Sequence, residues 1–161
     1  MTSKDKAKAR KSNLVVNNKK AYHEYLVLET LTAGIVLTGT EIKSIRAGKV
    51  SMNDSHARIQ NGEVFLYGLQ ISLYDKGTVY NHQPDRVRKL LLTKAEIKKL
   101  IGKTKETGHT LIPLKMYFER CWVKVEIGLC KGKKLHDKRE TITARDSKRE
   151  IDRALKSRNR P

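Results

Sequence analysis

The stretch HTLIPLKMYFERCWVKVEIGLC, residues 109–130, decides the fold. It holds two runs, HTLIPLKMYFE and CWVKVEIGLC, in which apolar and polar residues alternate as in strands that pack one face. The runs meet at Arg120, so the sequence predicts two strands paired antiparallel through a turn at that residue. Pro113 has no backbone N–H to donate, so we expect it to weaken the first strand or to mark a sheet edge.

Shorter strands are predicted upstream of this pair. YHEYLVLET, from Tyr22, is typical of a strand. We expect Ala33-Gly34 to interrupt it and IVLTGT to form a second strand. SHARIQNGEVFLYGLQIS, residues 55–72, is predicted to form a hairpin, because Asn61-Gly62 suits the two positive-φ positions of a type I′ turn. DKGTVYNHQPDRVR, residues 75–88, is loop-like.

Two helices are predicted between the strands. EIKSIRAGK is a short amphipathic helix with Gly48 suited to its C-terminal end. Thr93 and Glu96 form a capping box that begins a second helix, which should end before Gly108. With about six short strands and no βαβ alternation, the predicted class is all-β with helical additions: an OB-fold-like closed β-barrel of about six strands with two to three flanking helices.

Positive charge is concentrated at the two ends of the chain. The net charge is +18, of which residues 1–20 carry +6 and residues 131–161 carry +7. This predicts a basic, disordered N-terminal arm over 1–17, an RNA-binding barrel over 18–130 and a basic tail over 131–161, helical from about 143 when bound. Two basic arms on a moderately basic body are typical of a polyanion partner, usually a nucleic acid.

Several function classes are disfavoured by the sequence. There is no Walker A motif, GxGxxG, HExxH or CxxC, and the five histidines have no metal-ligand spacing. We therefore expect no enzyme, no cofactor and no metal. No run of 18 apolar residues and no apolar signal core is present, so we expect no membrane span and no secretion. Cys121 and Cys130 cannot pair within one strand, which favours a reducing cytoplasm, and we expect a monomer.

Several side chains are instead suited to bind a nucleic acid. On a strand, Arg86 and Arg88 share a face that would follow phosphates, with Lys89 beside them, although a solvated strand edge explains the spacing equally well. Six aromatic side chains offer stacking faces, although most are expected to be core or partly buried: Tyr22, Tyr25, Tyr67, Tyr74, Tyr80 and Trp122.

The segment KGKKLHDKR, residues 131–139, gives the strongest local indication of nucleic-acid binding. Five cations within nine residues make a dense phosphate-binding surface, and Gly132 is expected to give backbone freedom. His136 is suited to stack on a base or to take a charge near a phosphate, and Asp137 indicates a specific geometry rather than a simple polycation. The alternative interpretation is a frayed basic terminus.

Five segments together carry a resemblance that covers roughly residues 17–157: NKKAYHEY (18–25), AGIVLTGTEIKSIRAGK (33–49), DSHARIQNGEVFLYG (54–68), NHQPDRVRKLLLTKAEIKKLIGK (81–103) and KGKKLHDKR (131–139). In this order and spacing the chain resembles the SmpB family (small protein B), the tmRNA-binding or SsrA-binding proteins of bacterial trans-translation. The resemblance implies an OB-type barrel that binds the tRNA-like domain of tmRNA and replaces its missing anticodon arm. It implies a tail that enters the ribosomal decoding centre and the empty mRNA channel, and elongation factor Tu with GTP as the delivery partner.

The resemblance also assigns residues. By motif, tmRNA contact falls to Asn18, Lys19, His23, Glu41, Arg46, Leu91 and Lys124. Contact with ribosomal RNA at the decoding centre falls to Lys131, Gly132, Lys133, Lys134, His136, Asp137, Lys138, Arg139 and, in the tail, Ile151. The chain departs from the family at Thr32, where an acid often precedes Ala-Gly, so a carboxylate contact to RNA at that position is in doubt.

Two other functions compete with this one. The first is a general OB-fold RNA-binding protein in ribosome assembly or translation initiation. The second is a nuclease or RNA-modifying enzyme whose site is assembled from residues that are distant in sequence.

Overall fold

The computed structural model describes residues 13–77, 81–105 and 108–134. Within them, three helices and nine strands follow one another as β1 (Leu14–Asn17), α1 (Lys19–Glu24), β2 (Tyr25–Ile35), α2 (Gly39–Arg46), β3 (Val50–Ser51), β4 (His56–Gln60), β5 (Glu63–Tyr67), β6 (Gln70–Ile71), β7 (Arg88–Leu91), α3 (Lys94–Thr104), β8 (His109–Glu119) and β9 (Trp122–Gly132). The predicted class, mostly β with a few helices, is confirmed.

Six of the strands close into a ring. Their order is β8-β4-β5-β7-β2-β9, β9 pairs back with β8, and each of these pairs is antiparallel. All six strands supply side chains to one buried cluster, to which β2 gives Ala33, β5 gives Leu66, β7 gives Leu90, β8 gives Met116 and β9 gives Ile127. β1 extends the sheet beyond β8, and β3 and β6 form a small separate sheet. The predicted closed sheet of about six strands is thus present.

The β8–β9 hairpin forms as predicted, with Glu119 opposite Trp122 and Arg120 in the turn at φ 55°. Of the two alternatives expected for Pro113, the sheet edge is wrong, because β8 is paired on both sides, whereas the weakening of the strand is present as an irregularity in its pairing. The β8–β9 register shifts between Pro113 and Lys115. On the other side of β8, β4 pairs at Leu111 and β1 reaches Lys115. The proline therefore lies at an irregularity between two partners, where a missing N–H costs least.

The prediction for the first strands needs correction. Residues 19–24 form α1 rather than a strand, and β2 runs without interruption through Ala33 and Gly34. IVLTGT does not form a second strand, because only Ile35 belongs to β2 and α2 begins at Gly39. Ala33 is fully buried and Gly34 is paired on both sides, so the small residues mark close packing rather than a break.

Both predicted domain boundaries differ from the ends of the sheet in the structure. Residues 14–17 form β1 and pair with β8, so the disordered arm predicted over 1–17 is wrong for them. At the other end β9 continues through Lys131 and Gly132, beyond the predicted boundary at 130. Residues 1–12 and the predicted tail helix from about 143 lie outside the described residues.

Local signals correctly predicted the turn between β4 and β5 and the start of α3. The Asn61-Gly62 turn has both residues at positive φ, 51° and 74°. α3 begins with the predicted capping box, in which Thr93 N donates to Glu96 Oε2 at 2.8 Å and Glu96 N donates to Thr93 Oγ1 at 3.3 Å. These contacts depend on neighbouring residues alone, which is why the sequence reveals them.

Candidate nucleic-acid interface

Leu91 and Lys124, two of the predicted contact residues, flank Gly34 in one cross-strand row. β2 lies between β7 and β9, and Gly34 is opposite Leu91 on one side and Lys124 on the other. Because glycine has no side chain, the row has a gap at its centre. A Cβ added at Gly34 would lie 3.3 Å from the Cβ of Leu91. The three strands therefore bring an apolar and a cationic side chain to the two sides of a groove.

This groove, which we call the Gly34 groove, has an apolar end and a basic end. Toward its apolar end a volume of about 510 Å³ is lined by Val36, Leu91 and Trp122 with Gly34 and Lys124. Two of these large apolar side chains are exposed to solvent: Leu91 is 53% exposed and Trp122 is 73% exposed. An exposed indole beside an ammonium group suits stacking and phosphate contact in RNA recognition.

Toward its basic end the groove continues over a volume of about 610 Å³ lined by Lys89, Lys94 and Lys124 together with Thr32. Lys89 pairs with Glu63, and Lys124 Nζ lies 4.0 Å from Glu119 Oε2. The Thr32 hydroxyl lies 3.5 Å from that of Tyr117. At position 32 the groove is therefore lined by a hydroxyl rather than by a carboxylate.

The sequence did not single out Trp122 as a contact residue. It belongs to the aromatic residues that the sequence predicts to be mostly core or partly buried, whereas it is highly exposed. Strand alternation is the signal that reveals it, because Trp122 and Lys124 are two residues apart on β9 and share a face. Their common face is the outer one, since Val123 and Val125 between and beyond them are buried.

Glu41, Arg86 and Arg88, three further predicted contacts, form a buried network. Glu41 Oε1 accepts hydrogen bonds from Arg86 Nε at 2.8 Å and Arg88 Nε at 2.9 Å, and Oε2 accepts one from Arg86 Nη2 at 2.6 Å. The side chains of Glu41 and Arg88 are 0% exposed. The prediction that Arg86 and Arg88 follow phosphates is therefore wrong for Arg88, and Glu41 as placed has no surface to offer RNA.

The network supports the groove from behind. Arg86 Nη2 also donates to the carbonyl oxygen of Val36 at 3.2 Å, and Val36 lines the groove. Arg88 Nη1 donates to the carbonyl oxygen of Leu69 at 2.6 Å and Nη2 to that of Pro84 at 3.0 Å. We infer that Glu41 and its two arginines position the groove wall and the loop before β7.

Burial would raise the pKa of the Glu41 carboxyl, but its surroundings outweigh that effect. Hydrogen bonds from Arg86 and from the Thr38 backbone, together with the charges of Arg88 and Arg86, lower its pKa to about 2. Glu41 is therefore ionised throughout the physiological range, and its negative charge balances cations inside the protein.

α1 carries the predicted contacts at the start of the chain. Asn18 is its N-cap: Oδ1 accepts from Ala21 N at 3.0 Å, and Nδ2 donates to the carbonyl oxygens of Met52 at 2.9 Å and Pro113 at 3.0 Å. The residue is 2% exposed, so its polar atoms are used inside the protein. Lys19 is exposed and His23 is half-buried on α1, and Arg46 is exposed at the end of α2.

The predicted hinge begins inside the sheet. Lys131 is opposite Leu26 and Gly132 is opposite Tyr25, so the freedom expected of Gly132 is wrong in this structure. The Lys133 backbone N–H then donates to the carbonyl oxygen of Glu24 at 2.9 Å. Lys134 is the last described residue, and five predicted contacts lie outside the described residues: His136, Asp137, Lys138, Arg139 and Ile151.

In residues 13–77, 81–105 and 108–134, no group of three or more His, Cys, Asp or Glu side chains is arranged to hold a metal ion. No helix in the same ranges is long and apolar enough to cross a membrane.

Comparison with known proteins points to one family. The family model described as SmpB protein matches residues 15–157. A protein of Shouchella clausii named SsrA-binding protein is 58% identical over 147 residues, which cover 91% of this chain and 94% of that protein. A protein of the same name from Syntrophobacter fumaroxidans is 54% identical over 158 residues, 98% of each chain.

A solved structure agrees with these sequence matches. Its chain is 51% identical and superposes with a TM-score of 0.64, covering 74% of this chain and 85% of that one. That structure is described as tmRNA-SmpB on a journey to the centre of the bacterial ribosome.

Proposed function

Because this chain belongs to the SmpB protein family, we propose that it binds the tRNA-like domain of tmRNA and acts with it on ribosomes in trans-translation. Relatives that cover nine-tenths or more of the chain carry the name SsrA-binding protein. The solved relative is described in a tmRNA–SmpB–ribosome setting. Both tmRNA and the ribosome are therefore partners of this chain.

One observation carries the placement of tmRNA: Leu91 and Lys124 flank Gly34, with exposed Trp122 at the same groove. An exposed indole and leucine offer a surface for the sugar and base faces of a folded RNA, and Lys124 and Lys94 offer charge to its phosphates. Such a surface recognises shape and backbone without requiring a base sequence. We propose that tmRNA lies along this groove.

The second RNA contact is proposed at the other end of β9. There Lys131, Lys133 and Lys134 end the described chain, and residues 135–161 follow with further cations. We propose that this basic segment meets ribosomal RNA at the decoding centre and that the tail occupies the vacant mRNA channel. An mRNA already present would exclude the tail sterically, which restricts the activity to ribosomes that have run off a truncated message.

We make four finer proposals. Elongation factor Tu with GTP delivers the complex, the protein acts as a monomer, and it acts in the cytoplasm as a binding protein that catalyses no reaction. Its contribution in this proposal is to replace the missing anticodon arm of tmRNA.

A binding experiment tests the proposed function. The full chain should bind the tRNA-like domain of tmRNA much more tightly than a hairpin of equal length at physiological salt, because non-specific phosphate contact is weakened there. Equal binding to both RNAs would favour the general RNA-binding alternative instead.

A truncation tests the division into body and tail. Since residues 131–134 belong to β9 and its anchor, the appropriate deletion is 135–161 rather than 131–161. This variant should retain tmRNA binding and lose tagging on ribosomes stalled on truncated messages. Loss of tmRNA binding would show that the tail is only a phosphate clamp for tmRNA.

A further inference from the structure

Two lysines that line the Gly34 groove are paired with carboxylates of the same protein. At the basic end, the Lys89 ammonium group bonds to the Glu63 carboxylate. Lys124, which lines both ends of the groove, places its Nζ 4.0 Å from Glu119 Oε2. An RNA phosphate that approaches either lysine therefore meets a carboxylate that is already beside it.

Two hairpin turns place these carboxylates. Glu63 is the first residue of β5, directly after the turn at Asn61-Gly62, and lines the groove. Its side chain belongs to the outer face of β5, because Val64, the next residue, is buried. Glu119 ends β8 and is directly opposite Trp122 across the turn to β9. Strand pairing therefore fixes both acids at the rim of the groove.

Both carboxylates remain in contact with solvent, since the side chains of Glu63 and Glu119 are 45% and 59% exposed. An ionised carboxylate repels a phosphate but accepts a hydrogen bond from a hydroxyl or an amino group. A folded RNA offers both kinds of surface, because its backbone carries phosphates and its wide, shallow minor groove displays 2′-hydroxyl groups and base edges. The two acids therefore favour an RNA that turns hydrogen-bond donors, and not phosphates, toward the two turns.

The pairing also reduces non-specific binding at the groove. Lysines bind any nucleic acid mainly because contact with phosphates releases counterions. A lysine that a carboxylate already neutralises gains less from a phosphate, because the phosphate has to replace the carboxylate. The two ends of the chain are strongly basic and attract any polyanion. A groove with paired lysines allows shape, rather than charge, to decide which RNA is bound there.

We propose that Glu63 and Glu119 determine the specificity of the Gly34 groove: they repel RNAs whose phosphates would lie at the two turns, and they accept hydrogen bonds from ribose 2′-hydroxyl or base amino groups of the RNA that fits. The inference deepens the proposed function and rests on it for the identity of that RNA. Glu63 has the larger effect, because it bonds directly to its lysine, whereas Glu119 lies 4.0 Å from Lys124. Selectivity then arises from repulsion of the wrong partners as well as from attraction of the right one.

Fluorescence anisotropy tests the proposal on the full chain at physiological salt, with the tRNA-like domain of tmRNA and a hairpin of equal length as the two labelled RNAs. Glu63→Gln removes the charge but keeps an acceptor oxygen. It should raise affinity for the hairpin about threefold and affinity for the tRNA-like domain less, so that the preference between the two RNAs falls. Glu63→Gln/Glu119→Gln should reduce the preference further. In that variant the slope of log K for the hairpin against log salt should steepen by about 0.7 for each released lysine.

Three further variants separate the release of a lysine from a general change of charge. Glu63→Gln/Lys89→Gln removes both members of the pair, so its affinity for the hairpin should be no higher than that of the parent protein. Asp54→Asn is the matched control, because it removes a carboxylate from an exposed pair with Lys20 that lines neither end of the groove. It should leave the preference as in the parent protein. Glu63→Ala removes the acceptor as well and should bind the tRNA-like domain more weakly than Glu63→Gln does.

Three results would each overturn the proposal: an unchanged preference in Glu63→Gln, an equal loss of preference in Asp54→Asn, or an affinity for the hairpin that stays raised in Glu63→Gln/Lys89→Gln. Failure of the proposed function would show itself separately, as no preference of the parent protein for the tRNA-like domain over a hairpin. Thermal unfolding of each variant distinguishes a changed contact from a changed fold.

Discussion

Lys133 donates a hydrogen bond from its side-chain Nζ to the backbone carbonyl oxygen of Tyr22 at 3.1 Å. Its backbone N–H donates to the carbonyl oxygen of Glu24 at 2.9 Å. Both acceptors belong to the last turn of α1, where carbonyl groups lack helical partners and a cation is favourable. A lysine that the sequence predicts as a contact to ribosomal RNA is thus also a clamp, which joins the start of the tail to α1.

We expect Lys133→Ala to loosen the start of the tail without unfolding the body. Loss of one exposed hydrogen bond weakens local structure by about 0.5–1.5 kcal/mol, so the amides of residues 133 and 134 should exchange with solvent roughly twofold to tenfold faster. Amide hydrogen exchange followed by NMR measures this change. Lys133→Arg keeps a donor at this position and should restore most of the protection.

Lys131→Ala is the matched control for this prediction. It removes the same charge from the same strand, and Lys131 is exposed and held by backbone pairing to β2 and β8. Protection at residues 133 and 134 should therefore stay as in the parent protein. Equal loss of protection in both variants would show that charge, rather than the bond to Tyr22, fixes the start of the tail.

Glu41→Gln should destabilise the body strongly. The substitution leaves Arg88 fully buried without its carboxylate partner, and breaking a buried ion pair in this way costs about 3–5 kcal/mol. Urea unfolding followed by circular dichroism measures the free energy of unfolding. Glu63→Gln breaks a half-exposed pair with Lys89 and should cost no more than about 1 kcal/mol.

The same carboxylate predicts an acid-sensitive step. The pKa of Glu41 is about 2 in the folded protein and 4.5 in the unfolded reference, so the folded state binds its proton less readily. Its contribution to stability is complete above about pH 4.5 and is lost as the pH falls toward 2. Over that range the free energy of unfolding should fall by on the order of 3 kcal/mol from this group. Glu41→Gln should lack this part of the pH dependence, and an unchanged slope in the variant would contradict the prediction.

Asn18→Ala should lower stability and affect RNA binding only through the fold. The variant loses an N-cap and leaves the buried carbonyl oxygens of Met52 and Pro113 without a donor, which together cost about 2–4 kcal/mol. Thermal unfolding measures the loss. Below the unfolding transition, affinity for the tRNA-like domain should match that of the parent protein, whereas a tenfold loss in the folded variant would restore Asn18 as a direct contact.

The sequence predicts well those features that depend on local chemistry. Thr93 and Glu96 cap α3 and Asn61-Gly62 turns the β4–β5 hairpin, because each needs only residues that are adjacent or three apart. Leu91 and Lys124 were assigned by resemblance, yet their position around Gly34 arises from pairing among three strands. No local pattern contains that pairing.

Failures occurred where distant contacts override local pattern. YHE resembles the start of a strand, but Asn18 is fixed by carbonyl oxygens 34 and 95 residues away and caps a helix there. The alternation around Arg88 is typical of a cation on the surface of a strand. In the structure Arg88 is buried, and the carboxylate of Glu41, 47 residues upstream, balances its charge. Periodicity shows which residues share a face, and the partner that decides whether the face is buried comes from elsewhere in the chain.

Gly34→Val tests whether the Gly34 groove holds tmRNA. The backbone at Gly34 is extended strand paired on both sides, which suits a β-branched residue. Its Cβ would lie 3.3 Å from that of Leu91, so the added methyl groups would displace the Leu91 side chain and narrow the groove, at a cost of about 1–3 kcal/mol in stability. Affinity for the tRNA-like domain should fall about tenfold, equivalent to the loss of about 1.4 kcal/mol.

The matched control for this last variant is Gly102→Val on α3, where an added Cβ meets no atom within 4 Å. It introduces the same side chain at an exposed site and should leave RNA affinity unchanged. Binding by both variants is measured against the parent protein, with the unfolding midpoint of each recorded. If Gly34→Val folds and binds as tightly as Gly102→Val, the row formed by Leu91, Gly34 and Lys124 is not where tmRNA lies. If only Gly34→Val weakens binding, the size of the groove, and not merely its charge, determines the fit of the RNA.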